Sequence, residues 1–524
     1  MSAIITSKSG NHTYIYESES YREDGKVKNR RRIIGKVDPA TGNHIYKPEY
    51  LERKGLHTTE ISAQNTPIYS VTDVKHSIVK EYGAFYLMNE VAKSIGLVDI
   101  LRETLPCEYE EILNIAYFMV STGEPAMYCE DWLYKTEGYE TKDLSSQRIS
   151  ELLANITEGD RLGFFEKWGE FRCENEYVAL DITSISSYSE LINDAEWGYN
   201  RDGEKLPQVN VCLLLGEKSH LPIFQKVYSG SIGDISTLKS TLQTMSGLNL
   251  SNMSIVMDKG FSKVENINAL LSDPLKFRFL IPLKFTTSFA KEQVNRERDA
   301  IDSAKNTIII GEDVLRGITS CQAWSDEYNV FVHAIHNTEA LAHAKNKLFA
   351  TVQLLVDRVK QDPEKYRNNG DVKKYLTIRK TKAGYSLKIK ENKLLSEMET
   401  TGWLILISNH IDNAQEALEI YRTKDVVEKG FWRMKTCLDL ARLRVHSDKA
   451  MQSKIFIGFI ALIICAHIHK VMSENNLYKS WSMKKMLKIL ERLKIHHIKS
   501  DHILSPLTKD QKRIFSAFGV SPDL

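Results

Sequence analysis

Cysteine is sparse in this chain and badly placed for structural chemistry. The seven residues (Cys107, Cys129, Cys173, Cys212, Cys321, Cys437 and Cys465) form no CxxC pair, which argues against a zinc ribbon and a disulfide framework and points to a reducing cytosol. Histidine supplies no metal-ligand spacing either, although six of the fifteen, including His496 and His497, lie after residue 420. The N-terminus, MSAIITSKSGNHTYIYESES, lacks a basic start followed by an apolar stretch, so no secretory signal is expected. Long hydrophobic runs are missing as well. The longest, IFIGFIALIICAHI at 455–468, has fourteen residues. A membrane span needs about 20, so a buried helix and no membrane partner are expected. There is no internal repeat and no low-complexity tract.

What is present is a long, core-forming chain with an uneven charge. At 524 residues and 42% hydrophobic content it has the length of several domains. The net charge is only +2, but residues 421–524 carry 20 Lys and Arg against 9 Asp and Glu, leaving 50 against 59 in the first 420. A basic C-terminal part is either a solvated surface or the footprint of a polyanionic partner.

The patterning divides the chain into six stretches. Residues 1–75 alternate β-like runs (TYIYES, RRRIIGKV, PIYSV) with turn signals (EDGK, DPATGN), a small antiparallel module whose Lys26, Lys28, Arg30, Arg31 and Arg32 sit on a solvated hairpin or touch DNA. Residues 76–172 show three- and four-residue apolar spacing, a helical bundle and candidate DNA-binding domain. Residues 173–284 bring short apolar runs (YVALDI, QVNVCLLLG, LPIFQKVYSG, NMSIVMD, FRFLIPL) separated by turns and helical segments, an α/β mixed sheet that starts with a three-strand meander. Residues 285–400 read as a β-rich insertion, 401–445 as the return to the sheet followed by an acid-bearing helix, and 446–524 as a helical C-terminal region.

Two aspartates close strands in the α/β part, Asp181 in VALDITSIS and Asp258 in SIVMDKGFS. Acids there either cap the following turn or stand at the sheet edge where clefts form. A third acid comes from YRTKDVVEKGFWRMK at 421–435. Wound at about 100° per residue, Tyr421, Lys424, Glu428 and Lys435 fall within roughly 60°, beside an apolar stripe of Ile420, Val427, Phe431, Met434 and Leu438. Three carboxylates without histidine or cysteine suit hard cations, two Mg²⁺ or Mn²⁺ ions working on a phosphodiester. Lys424 and Lys435 would then hold phosphates, and Tyr421 would donate to a phosphate or pack on a sugar. Trp432, at the edge of the arc, reads as a core aromatic or a base-stacking ring.

The spacing Tyr421-x2-Lys424-x3-Glu428-x6-Lys435 resembles the Tyr-x2-Arg-x3-Glu-x6-Lys signature of DDE transposases of bacterial insertion sequences, with Lys for Arg at 424. That exchange keeps the charge and loses the bidentate fork. DITSIS, GYNRDGEKLPQVNV, PIFQKVYSGSIGDIST, MDKGF and ARLRVHSDKAMQSKIFIGFIALII resemble the same family, as does the N-terminal SYREDGKVKNRRRIIGKVDPATG. The resemblance implies a ribonuclease-H-like core in which Asp181, Asp258 and Glu428 hold the metal ions. It further implies a bacterial, cytoplasmic, nucleoid-associated enzyme that binds the terminal inverted repeats of its element, pairs the ends in a homodimer, cleaves double-stranded DNA and joins it to a target. A ribonuclease-H-like nuclease without strand transfer and a transposase-derived DNA-binding protein that no longer cuts are the alternatives.

Overall fold

Alternating β-branched and polar residues at the N-terminus pair into a four-stranded antiparallel sheet, β1 (Ser2–Ser9), β2 (His12–Glu23), β3 (Lys26–Val37) and β4 (His44–Tyr46), in that order. Here and throughout, the structure is a computed structural model that describes residues 2–9, 12–23, 26–38, 44–54, 75–172, 177–232, 234–248, 250, 253–272, 277–382 and 384–522. Ile15 and Ile34 are buried in this sheet with Leu51 of the helix Pro48–Lys54. Register sets Arg32 and Arg30 opposite Glu17 and Glu19, and β4 pairs only with Gly35–Val37. The basic stretch of β3 thus faces acids across the strand pair, which favours opposite charges. The expected strand PIYSV and most of the DPATGN turn lie outside the described residues. This module forms one compact unit (1–78 with 497–501); the other comprises 79–496 with 502–524.

After a short strand, β5 (Ile78–Glu81), the second unit opens with helices Gly83–Ser94, Leu97–Thr104, Tyr109–Thr122, Cys129–Lys135, Ser146–Asn155 and Glu158–Arg172. Tyr109–Thr122 is buried on nearly every side and packs, like Ser146–Asn155, against Asp448–Glu474. The apolar run at 455–468 therefore belongs to a 27-residue helix, long and apolar enough to cross a membrane by length and composition, with 78% of its most apolar window inside the protein. One continuous hydrophobic core joins these helices to the sheet.

The central sheet has nine strands: β6 (Tyr177–Ser186), β7 (Gln208–Gly216), β8 (Pro222–Ser229), β9 (Ser254–Met257), β10 (Arg278–Pro282), β11 (Thr307–Ile310), β12 (Asp313–Ala323), β13 (Asn329–His336) and, after a hairpin of β14 (Leu376–Thr381) and β15 (Gly384–Ile389), β16 (Trp403–Ser408). Their order is β11-β12-β13-β16-β10-β9-β6-β7-β8. β6, β7 and β8 form the expected antiparallel meander, and β9 and β10 add in parallel beside β6. All nine residues of β7 are buried, and from Val211 to Leu215 it reads as an apolar run instead of an alternating one, with Gln208 and Asn210 as buried polar members at its start.

Residues 285–400 go to two places. β11, β12 and β13 extend the main sheet through β16, with only antiparallel neighbours. The helix Thr338–Gln361, the β14-β15 hairpin and the helix Glu391–Met398 gather around a separate apolar cluster that includes Val352, Val359, Tyr375 and Leu394. β12 has partly exposed faces and a broken apolar pattern, and β11 is only four residues long, so sequence patterning passes over them.

Candidate active site

The sheet register brings the first two acids together. β6 and β9 are parallel, with Leu180 opposite Met257 as the last pair, so Asp181 and Asp258 occupy the next level on adjacent strands. Strands at that point lie about 5 Å apart. One expectation needs correction here: Asp181 does not end its strand. β6 continues to Ser186 on β7, where Asp181 pairs with Leu213, and it is β9 that stops. The acid thus stands where two parallel strands part, on a backbone fixed by its antiparallel neighbour.

The third acid arrives on a helix that crosses the same strands. Asp425–Trp432 buries Val426, Val427, Gly430 and Phe431 and packs against β6 and β7. A Cβ on Gly430 would lie 3.0 Å from Leu215 Cδ2, so a side chain there would press on Leu215 of β7. The segment 421–435 is not the single regular helix of the wheel. One helix, Ala414–Thr423, ends before Lys424, a second begins at Asp425, and the chain passes into a π-helical turn at Arg433–Cys437. The π-helical turn shifts the angular register beyond Trp432, so Lys435 leaves the group, whereas Tyr421, Lys424 and Glu428 stay together.

Lys424 Nζ lies 3.0 Å from Glu428 Oε1 and 3.5 Å from Asp258 Oδ1, with its side chain only 9% exposed. Burial works against its charge, yet the hydrogen bond with Glu428 and the charges of Asp258 and Glu428 hold its pKa above the ordinary lysine range. Tyr421 is half-buried, packs on the cluster beneath Ala414–Thr423, and has its phenol pKa raised by burial and then by Asp258. Lys435 goes elsewhere: its Nζ donates to Asp202 Oδ2 at 2.6 Å, on the loop between β6 and β7. Trp432 is 59% exposed, so it does not pack in the core.

That loop supplies a residue the sequence reading missed. Arg201 Nη1 donates to Asp181 Oδ1 at 3.3 Å and to the Ile182 carbonyl. Around it, Asn200 Oδ1 accepts from the amides of Asp202 and Glu204, while Glu204 accepts from Ser186 Oγ and from Arg442 Nη2, both at 2.6 Å. The available signal was GYNRDGEKLPQVNV, with an arginine between two turn formers. Burial pushes the Asp181 carboxyl pKa up, against the Ile182 amide, Arg201 and Lys424, with Asp258 adding to the rise.

The donor set fits a hard divalent cation by chemistry, since it offers carboxylate oxygens only, and one of them is buried where a positive charge is wanted. In this arrangement Arg201 and Lys424 supply that charge. Among the described residues no group of three or more His, Cys, Asp or Glu side chains converges as a metal cluster, and Glu428 is paired with Lys424.

A family model described as the transposase DDE domain matches residues 173–464, more than half of the chain. The chain belongs to the transposase DDE domain family. The matched span of this transposase runs from just before β6 into Asp448–Glu474, so it holds the whole nine-stranded sheet and all three acids. Among solved structures, a piggyBac transposase synaptic complex with hairpin DNA is similar at 10% identity and a TM-score of 0.30, over 83% of this chain and 73% of that one, a likeness too loose to bear on the site. No curated protein sequence matches the chain.

Proposed function

We propose that this chain is a cut-and-paste DNA transposase whose active site is built from Asp181, Asp258 and Glu428 on a ribonuclease-H-like core. The strand order β8-β7-β6-β9-β10, an antiparallel meander followed by two parallel strands, supports that core assignment. The observation that carries the site is the register that sets Asp181 beside Asp258, with Glu428 linked to Asp258 through one buried ammonium. Asp181, Asp258 and Glu428 would hold two Mg²⁺ or Mn²⁺ ions, which when bound supply an activated oxygen nucleophile and stabilise the leaving oxygen at a phosphodiester.

The chain's own groups do the rest. Arg201 fixes one oxygen of Asp181 and so orients the other. Lys424 balances the acids when no metal is present and, once released from Glu428, is placed to meet a DNA phosphate. Lys435, on the loop side, and Tyr421, beside Asp258, would hold the flanking backbone. The proposed substrates are the inverted-repeat ends of a bacterial insertion sequence and a target duplex, engaged by a homodimer in the cytoplasm.

The test uses DNA flanking the gene, searched for inverted repeats and supplied as duplex ends with Mg²⁺ or Mn²⁺. Wild type should nick the ends and join them to a target plasmid, and Glu428→Gln should bind the ends without cutting. Cleavage by Glu428→Gln at the wild-type rate would overturn the site. Cutting without joining would identify a nuclease instead.

A further inference from the structure

Nine residues beyond Lys424 lies a second buried cation in the opposite situation. Arg433 opens the π-helical turn and is only 6% exposed, yet among the described residues its Nη1 has no hydrogen-bond partner. Arginine does not shed its proton in proteins, so an unmatched guanidinium of this kind calls for an anion. The nearby thiols do not provide one, because burial pushes Cys465 up to about 12 and also raises Cys437. The carboxylate of Asp425 is engaged by Lys429 at 2.6 Å.

Arg433 lines a cavity of about 330 Å³ that has no aspartate or glutamate in its wall among the described residues. Lys484 and Ser482 line it from the first turn of the helix Met483–Leu490, whose leading amides favour anions. His469 adds no negative charge, and its ring is hydrogen-bonded to Tyr478. Trp432 lines the same cavity while staying exposed. The volume is that of a small-ligand site, and the lining combines a buried guanidinium, an ammonium, amide dipoles and a large aromatic face.

We propose that this cavity is a nucleotide pocket, with Arg433 and Lys484 taking a phosphate and Trp432 taking the base by stacking. Arginine suits the phosphate because its planar fork donates to two oxygens at once. Trp432 lies one helical turn beyond Glu428 on the same helix face, so in a DNA strand the bound nucleotide would neighbour the cut site. That last placement rests on the function proposed above; the pocket itself does not.

Isothermal titration of the full chain with inorganic phosphate, with dAMP and with a short dT oligonucleotide tests the pocket. Arg433→Met and Lys484→Gln should each weaken dAMP or oligonucleotide binding at least about tenfold, the loss of one charge-assisted hydrogen bond. Trp432→Ala should weaken the nucleotide arms and spare inorganic phosphate. Lys484 is exposed, so its variant tests the pocket even if Arg433→Met folds poorly. Arginine-dependent binding of the oligonucleotide alone would assign the pocket to a nucleotide within a strand, and binding of dAMP as well would extend it to free nucleotides. Equal binding by wild type and both cation variants, or no binding in any arm, overturns the pocket. Glu428→Gln should retain dAMP binding, so failure of the cleavage assignment and failure of the pocket give different results.

Discussion

Lys424 and Arg433 are both buried cations on one short helical segment, and their surroundings could hardly differ more. Lys424 sits between Asp258 and Glu428, while Arg433 opens into a cavity where, among the described residues, there is no acid and its Nη1 has no hydrogen-bond partner. A buried charge needs a counter-charge, and where it comes from indicates what the site is for. The lysine finds it within the protein, at carboxylates with their own chemistry. The arginine does not, and its surroundings suit an anion from outside.

The contrast can be broken most severely at the acids themselves. Asp181→Asn removes the buried carboxylate beside Arg201, and metal-dependent strand cleavage should fall below detection while the thermal midpoint stays near wild type or rises, because burial already penalises that charge. Next comes Lys424→Met, which leaves Asp258 and Glu428 facing each other without their cation. Both carboxylates are substantially exposed, so screening limits the loss of stability to about 1–2 kcal/mol, read as a lower urea midpoint at unchanged slope. Arg433→Met should move stability the other way, by on the order of 1 kcal/mol upward in phosphate-free buffer, since an unmatched buried charge is replaced by apolar volume. Equal destabilisation by the two variants would erase the distinction between the sites.

The smallest effect is a titration. Burial, then the positive charges of Arg433, His220 and Lys429, push the His469 pKa down to about 4. Between about 4 and its ordinary 6.5 the unfolded chain binds the proton and the folded chain does not, so this group's contribution to stability falls as pH drops through that window. In Arg433→Met one of those charges is gone. The His469 pKa, followed by its ring proton shifts, should climb part of the way back, and the acid-sensitive window should narrow with it.

Much of the candidate site is legible in the sequence because its members lie on regular elements. SIVMDKGFS gives one acid at the end of an apolar strand, VALDITSIS gives another within one, and the spacing around Glu428 gives the third. The wheel drawn through 421–435 works less well, since a uniform 3.6-residue period has no place for the turn at Lys424 or the π-helical turn after Trp432. It groups Lys435 with Glu428, whereas the folded chain commits that lysine to Asp202. β12 is overlooked for a related reason: its half-exposed face weakens the apolar alternation that marks a strand.

The sequence by itself pointed to the family, to three candidate carboxylates and to the meander and parallel strands of the α/β part, because these depend on residue type and local spacing. Only the tertiary structure decided that Asp181 stands in mid-strand beside Asp258, that Arg201 reaches back from a loop to hold it, and that Lys424 is buried between two acids. Those facts depend on register between strands distant in sequence and on how closely a glycine-bearing helix approaches β7. The unmatched charge of Arg433 belongs there too, since nothing in FWRMK shows which of its cations will lack a partner once buried.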